Sequence, residues 1–219
     1  MLRSYADPQV TSRTLDHVAL WVEDRDAIVA GAIANLGMHV IERTDRFTLI
    51  GADARRFKLT LFVEEGPRER GALKDITLRV NDGEEGSHEL GEGLTVHVVR
   101  APAEVDYDLD HVALFSADPE ATAGEYLSLG FNEADASDGV PRVELGGAYV
   151  EFHRGDATEP ERPLLNHLAV LVDRADDAKE LPVEVADVVD APNTYAVFVW
   201  GPERVKIEYV EHKPTFSLV

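Results

Sequence analysis

The chain has 219 residues, with 42 acidic and 21 basic side chains, a net charge of −21, 44% hydrophobic residues and no cysteine. This composition is globular, and the absence of cysteine excludes disulfides, thiol nucleophiles and zinc–thiolate sites, so a bound metal must take nitrogen and oxygen ligands. The negative charge argues against a nucleic-acid partner or an anionic membrane surface, because both require a basic protein surface.

The first 13 residues form an N-terminal extension that lacks the apolar core of a signal peptide. The longest apolar run, residues 27–34, is far shorter than the roughly 20 residues needed to cross a membrane. We therefore expect a cytoplasmic protein that acts on a small molecule, without a nucleic-acid or membrane partner. The sequence leaves open whether the chain forms a homodimer.

A short strand pattern with alternating apolar residues is repeated along the chain. It reads LDHVAL at residues 15–20 and at 109–114, and LNHLAV at 165–170. A weaker copy, LKDITL at residues 73–78, has Asp75 where the other copies have histidine. The repeats indicate a duplicated structural unit that begins with this strand.

The elements after each repeated strand follow a common order, with one helix and then three strands. Helix signals are an aspartate at the start and a glycine just past the end, as at Asp24 and Gly37. In the first unit the predicted helix is 26–36, followed by strands 38–43, 46–50 and 57–63. In the third unit the helix is 118–129, followed by strands 131–134, 141–145 and 148–153. In the fourth unit the helix is 176–181, followed by strands 183–189, 195–200 and 205–210. Each of these units is therefore predicted to be β-α-β-β-β.

The second unit is truncated, because only its first strand and a last strand at residues 94–100 are evident. We predict an N-terminal pair of units over residues 14–104, with a degenerate, metal-free second unit. A C-terminal pair over residues 105–219 is predicted to carry a metal site. Alternatively, the second unit merely extends the sheet of the first.

With these motifs, residues 14–211 resemble the vicinal oxygen chelate superfamily. That superfamily includes glyoxalase I, methylmalonyl-CoA epimerase, fosfomycin and bleomycin resistance proteins, and type I extradiol dioxygenases. The resemblance implies an α+β fold of the glyoxalase/bleomycin resistance/dioxygenase type, in which paired βαβββ modules form incompletely closed barrels with helices outside. It also implies a metal and substrate site in the cup of the C-terminal pair.

The spacing of histidine and glutamate identifies candidate metal ligands. Glu151 lies 40 positions after His111, and Glu208 lies 41 positions after His167. Each glutamate is flanked by apolar residues on a predicted strand, where an ionised carboxylate requires a cation or several hydrogen-bond donors. We therefore expect these four side chains to bind a divalent metal. The first unit has Leu61 at the corresponding position, so its histidine, His17, is predicted to be a buried residue without a metal.

Three functions follow from the resemblance. Two histidines and one carboxylate form the ligand set of non-haem Fe(II) oxygenases, and by resemblance His111, His167 and Glu208 would serve an extradiol dioxygenase that cleaves a small catecholic aromatic. With Glu151 as a fourth ligand or a base, the chain resembles a glyoxalase- or epimerase-like isomerase or lyase that uses Ni, Zn, Co or Mn. The third alternative is a metal-free, resistance-type protein that binds a small molecule.

The auxiliary catalytic residues of the dioxygenase signature are changed in this sequence. The tyrosine that the signature has ten residues before the metal glutamate is Phe198 here, with Tyr195 nearby. No histidine lies between His167 and His212. His153 and Tyr195 are therefore the predicted catalytic residues.

Overall fold

The computed structural model describes residues 10–52, 57–157 and 160–216. Most of the predicted N-terminal extension, residues 1–9, lies outside the described residues. Two mixed β-sheets and a few helices form the fold, which confirms the predicted α+β class with paired, open barrels.

Fifteen strands and two α-helices are described, in the order expected for the repeated units. They are β1 Ser12–Val22, α1 Arg25–Leu36, β2 His39–Arg43, β3 Phe47–Gly51, β4 Lys58–Val63, β5 Leu73–Val80, β6 Gly86–Gly91, β7 Leu94–Arg100, β8 Asp108–Ser116, α2 Pro119–Leu127, β9 Asn132–Glu133, β10 Arg142–Leu145, β11 Ala148–Arg154, β12 Leu165–Val172, β13 Val185–Asp190, β14 Thr194–Trp200 and β15 Lys206–His212. Two 3₁₀ helices, Ala175–Glu180 and Pro202–Arg204, complete the described elements. The predicted helix of the fourth unit is the first of these, and the second unit has one strand, β6, between its first and last strands.

The helix boundaries follow from local chemistry. The side chain of Asp24 accepts a hydrogen bond from the amide of Ala27, and that of Asp118 from Ala121. Gly37 ends α1 with a φ of 67°, a left-handed conformation that glycine adopts without steric cost.

The two sheets combine units that are not the predicted pairs. The eight-stranded sheet has the order β13-β14-β15-β12-β1-β4-β3-β2, and the seven-stranded sheet has the order β6-β7-β5-β8-β11-β10-β9. The first unit thus shares a sheet with the fourth, through antiparallel β1 and β12, and the second shares a sheet with the third, through antiparallel β5 and β8. The ranges 14–104 and 105–219 therefore each contribute strands to both sheets. Because the four opening strands have nearly the same pattern, adjacency in sequence does not decide which of them pair.

A β-bulge interrupts each of the four opening strands at the same place. In β1 and β12 the registers skip Asp16 and Asn166, and in β5 and β8 they skip Lys74 and Asp110. A bulged residue is left out of the pairing, and this bends the strand and redirects its side chain. Each skipped residue directly precedes the repeated histidine position, so the bulge brings a polar side chain beside that position.

Candidate metal centre

Three side chains from β1, β12 and β15 converge on one point. Nε2 of His17 lies 3.1 Å from Nε2 of His167 and 3.2 Å from Oε2 of Glu208. Nε2 of His167 lies 3.0 Å from the same carboxylate oxygen. Among the residues that the structure describes, this is the one group of three or more potential ligands whose donor atoms all lie within 4.8 Å of one another.

Each imidazole is oriented by the bulged residue that precedes it. Nδ1 of His17 lies 2.8 Å from Oδ2 of Asp16, and Nδ1 of His167 lies 3.2 Å from Oδ1 of Asn166. A hydrogen bond at Nδ1 fixes the ring and leaves Nε2 as the nitrogen available to a metal. The bulged residues therefore hold both imidazoles with Nε2 beside the carboxylate of Glu208.

A buried ion pair lies behind His17. Nζ of Lys58 donates a hydrogen bond of 2.8 Å to Oδ1 of Asp16, and both side chains are almost fully buried. Burial alone would raise the pKa of Asp16, but the hydrogen bond with His17 and the charge of Lys58 outweigh it and lower this pKa well below its usual range. Asp16 is therefore an anion that can stabilise positive charge at His17.

The charges at the convergence point favour a cation. Burial would raise the pKa of Glu208, but the adjacent His167 and His17 lower it to about 2. Burial would lower the pKa of His17, and its contacts with Asp16 and Glu208 instead raise it to about 9, whereas burial lowers the pKa of His167. The two carboxylates thus stabilise a positive charge at His17, and a metal would replace the proton that this imidazole otherwise holds. Oε2 of Glu208 is buried and has no hydrogen-bond partner of adequate geometry, although two imidazole nitrogens lie beside it. Two nitrogen donors and one unsatisfied carboxylate oxygen fit a divalent metal.

The strand registers identify the position of the last-strand residue that faces the site in the first, third and fourth units. Glu208 of β15 pairs with Ala169, two residues after His167, and Glu151 of β11 pairs with Ala113, two residues after His111. In the first unit this position is Thr60, which pairs with Ala19, and not the predicted Leu61. The spacing from His17 is one residue shorter than the prediction assumed.

An aromatic cavity of about 470 Å³ opens over the three side chains. The ring of Phe198 packs edge-on against His167 with centroids 5.1 Å apart, and Phe62 lies 5.3 Å from Trp21. His212 also lines the cavity. Apolar walls with a few convergent polar groups are typical of small-molecule sites.

Solved structures share this architecture over most of the chain. A protein described as a "putative dioxygenase" from Bacillus subtilis superposes with a TM-score of 0.75 at 13% identity, covering 94% of this chain and 87% of that one. Glyoxalase I from Zea mays superposes with a TM-score of 0.73 at 15% identity, covering 92% of each chain. The chain has the glyoxalase/dioxygenase fold. No family model and no curated protein matches the sequence.

Within this fold, the four predicted ligands do not form one site. His167 and Glu208 are brought together, whereas His111 and Glu151 lie on the seven-stranded sheet, with Nε2 and Oε2 3.6 Å apart. The reason is the pairing of β8 with β5 rather than with β12. His17 takes the place in the cluster that was predicted for His111.

The two predicted catalytic residues lie away from this cluster. His153 lies on the seven-stranded sheet, with Nε2 3.5 Å from Oε2 of Glu151. The hydroxyl of Tyr195 donates to Asp176 and lies 2.8 Å from Nζ of Lys179, and Tyr195 does not line the cavity.

Sequence reasoning missed two histidines of the cavity. His17 was predicted to bind no metal because the carboxylate of its own unit is absent, but in the structure its Nε2 lies beside the carboxylate of Glu208 from the fourth unit. His212 lies four residues after Glu208 on the same strand. The two-residue period of a strand places both side chains on one face, and this signal was available in the sequence.

Among the described residues, every helix is too short or too polar to span a membrane.

Proposed function

We propose that this protein is a metal-dependent enzyme that binds Fe(II) through His17, His167 and Glu208 and cleaves the ring of a small catecholic aromatic with dioxygen. The observation that carries this proposal is the convergence of two imidazoles and one carboxylate at the wall of an aromatic cavity. This donor set is typical of non-haem Fe(II) oxygenases, which leave coordination positions open for substrates.

The described residues of this cluster include no second carboxylate, and this favours a dioxygenase over an isomerase. The position in the first unit that corresponds to Glu208 is held by Thr60, whose hydroxyl is a far weaker ligand than a carboxylate. An isomerase of the glyoxalase type was expected to use a second glutamate as ligand or base. Bound Fe(II) would supply Lewis acidity and the electrons needed to activate dioxygen.

The cavity walls support an aromatic substrate. The rings of Phe62 and Phe198 both lie close to His167, with centroids 6.4 Å and 5.1 Å from its imidazole. Aromatic rings pack well in offset or edge-to-face arrangements with such side chains. These walls would orient a flat ring and exclude water from the reacting atoms.

The test is anaerobic reconstitution with Fe(II), followed by iron analysis and oxygen uptake with a panel of catechols. We expect one iron per chain and oxygen consumption with at least one catechol. Glu208→Gln should lower iron retention at least tenfold and abolish oxygen uptake, because it removes the charged ligand. A metallated protein that consumes no oxygen with any catechol would contradict the proposal.

Glu151→Gln is the matched comparison, because Glu151 occupies the same register position on the other sheet. We expect this variant to retain iron, because Glu151 lies outside the cluster of His17, His167 and Glu208. Its carboxylate already has a cationic neighbour, since Nη1 of Arg142 lies 3.7 Å from it. Two metal ions per chain, one of them lost in Glu151→Gln, would instead assign a second site to His111 and Glu151. Retention of Ni, Zn, Co or Mn with isomerase activity would favour the isomerase alternative, and ligand binding without metal would favour the binding protein.

A further inference from the structure

His212 lies on the cavity side of β15, at the opposite end of the same face from Lys206. Residues 206, 208, 210 and 212 of this strand all line the cavity. The two-residue period of a strand explains this arrangement, because alternate side chains point to one face of the sheet. His212 is thus presented to the same space as the ligand Glu208 without belonging to the ligand cluster.

Two contacts hold the imidazole of His212. Its ring stacks on that of Phe216, with centroids 3.6 Å apart and planes inclined by 6°. Its Nε2 lies 3.8 Å from Oδ1 of Asp16, the buried carboxylate that also contacts His17 and Lys58. The stacking restricts the ring, and the carboxylate lies close enough to stabilise a positive charge on it.

The charged groups around His212 come from three strands of the same sheet. They are Asp16 and His17 of β1, Lys58 of β4 and Glu208 of β15. Burial lowers the pKa of His212, and the charge of Lys58 lowers it further while Asp16 opposes both effects. The imidazole is therefore neutral at pH 7 and able to accept a proton.

We propose that His212 is the group that accepts the proton of an acidic hydroxyl on the aromatic ligand of this cavity. The inference rests on the proposed function, which supplies a catecholic ligand. In this step the O–H bond of the ligand breaks, its electron pair stays on the oxygen, and an N–H bond forms on the imidazole. Asp16 then offsets the charge of the imidazolium, and the ionised oxygen becomes a better donor to a cation.

The experiment is a pH titration of 4-nitrocatechol bound to the anaerobic Fe(II) protein, because the absorption of this probe reports its ionisation. In His212→Gln we expect the apparent pKa of the bound probe to rise by at least one unit at unchanged iron content. Turnover of any catechol substrate should fall about 100-fold, a usual effect of losing a general base. His39→Gln, which changes an exposed histidine of β2 in the same sheet, should leave both values unchanged.

A second variant distinguishes loss of the base from loss of structure. In His212→Ala, added imidazole should restore ionisation of the probe, which a purely structural role would not explain. The inference is overturned if His212→Gln ionises the probe at the same pH as the wild type, or if imidazole restores nothing. A wild-type protein that ionises the probe but consumes no oxygen overturns the dioxygenase while supporting His212, whereas one that binds no probe overturns both.

Discussion

Asp16 links the candidate metal ligand His17 to two other basic side chains of the cavity, Lys58 and His212. Its carboxylate lies 2.8 Å from both Nδ1 of His17 and Nζ of Lys58. Burying two charges costs desolvation energy, so the pair contributes to the stability of the fold only when both partners are present. Removing one partner of such a pair is therefore more costly than replacing both.

We predict that Asp16→Asn destabilises the protein by about 3 kcal/mol, because it leaves the buried ammonium of Lys58 without this carboxylate. The double variant Asp16→Asn, Lys58→Met should recover part of that loss. Urea unfolding of the wild type, both single variants and the double variant measures the coupling in a double-mutant cycle. Additive effects, with a coupling energy below about 0.5 kcal/mol, would contradict the prediction.

The same ion pair predicts an acid-sensitive stability. The pKa of Asp16 is lowered in the folded protein relative to its ordinary value of 3.8, so the ionised carboxylate stabilises the fold above about pH 4. This contribution is lost as the pH falls below that value toward the pKa of the folded state. The free energy of unfolding should therefore decline less steeply between pH 4 and pH 3 in Asp16→Asn than in the wild type, as measured by urea unfolding at each pH.

At the scale of single elements, the bulges explain why the residue before each repeated histidine position is polar. Asp16, Lys74, Asp110 and Asn166 interrupt strands that are otherwise largely apolar. In a regular strand the side chain of such a residue would point to the opposite face of the sheet from the side chain at the following histidine position. The polar pairs were visible in the sequence, but the bulge that brings their side chains together depends on the register with the partner strand.

The helix ends give a prediction that depends on backbone conformation alone. Gly37→Ala should destabilise the protein by about 1 kcal/mol, since a Cβ is disfavoured at a φ of 67° although the nearest atoms lie 3.9 Å away. Gly124→Ala is the matched control, because Gly124 lies inside α2 with nothing within 4 Å of an added Cβ. It should stabilise the protein by about 0.5–1 kcal/mol. Urea unfolding of both variants checks the opposite signs.

At the scale of the whole molecule, the candidate metal centre joins the first and fourth units. His17 comes from the first unit, and His167 and Glu208 come from the fourth. A metal that binds all three must therefore hold β1, β12 and β15 in their native arrangement. Metal binding is thereby linked to the stability of the eight-stranded sheet.

We predict that Fe(II) at about 100 times its dissociation constant stabilises the protein by about 2.7 kcal/mol. For a chain of this length that corresponds to a rise in Tm of about 5–10 °C. Anaerobic calorimetry should show the rise in the wild type and in Glu151→Gln but not in Glu208→Gln. A rise that persists in Glu208→Gln would place the stabilising ion elsewhere.

Much of the fold was predictable because each unit is specified locally. The aspartate and glycine signals located α1 and α2, and the alternating apolar residues located the opening strands. The pairing of His167 with Glu208 was also predictable, because both belong to one unit in which the first and last strands are parallel neighbours. The polar segment between β5 and β7 correctly indicated a reduced second unit.

The sequence by itself determined the repeated βαβββ unit and the donor residues that each unit carries. Only the tertiary structure decided that His17, and not His111, completes the cluster with His167 and Glu208. The physical reason is that strands with nearly identical apolar patterns can pair in several ways with similar local energies. The choice between them depends on how the whole chain packs its two sheets.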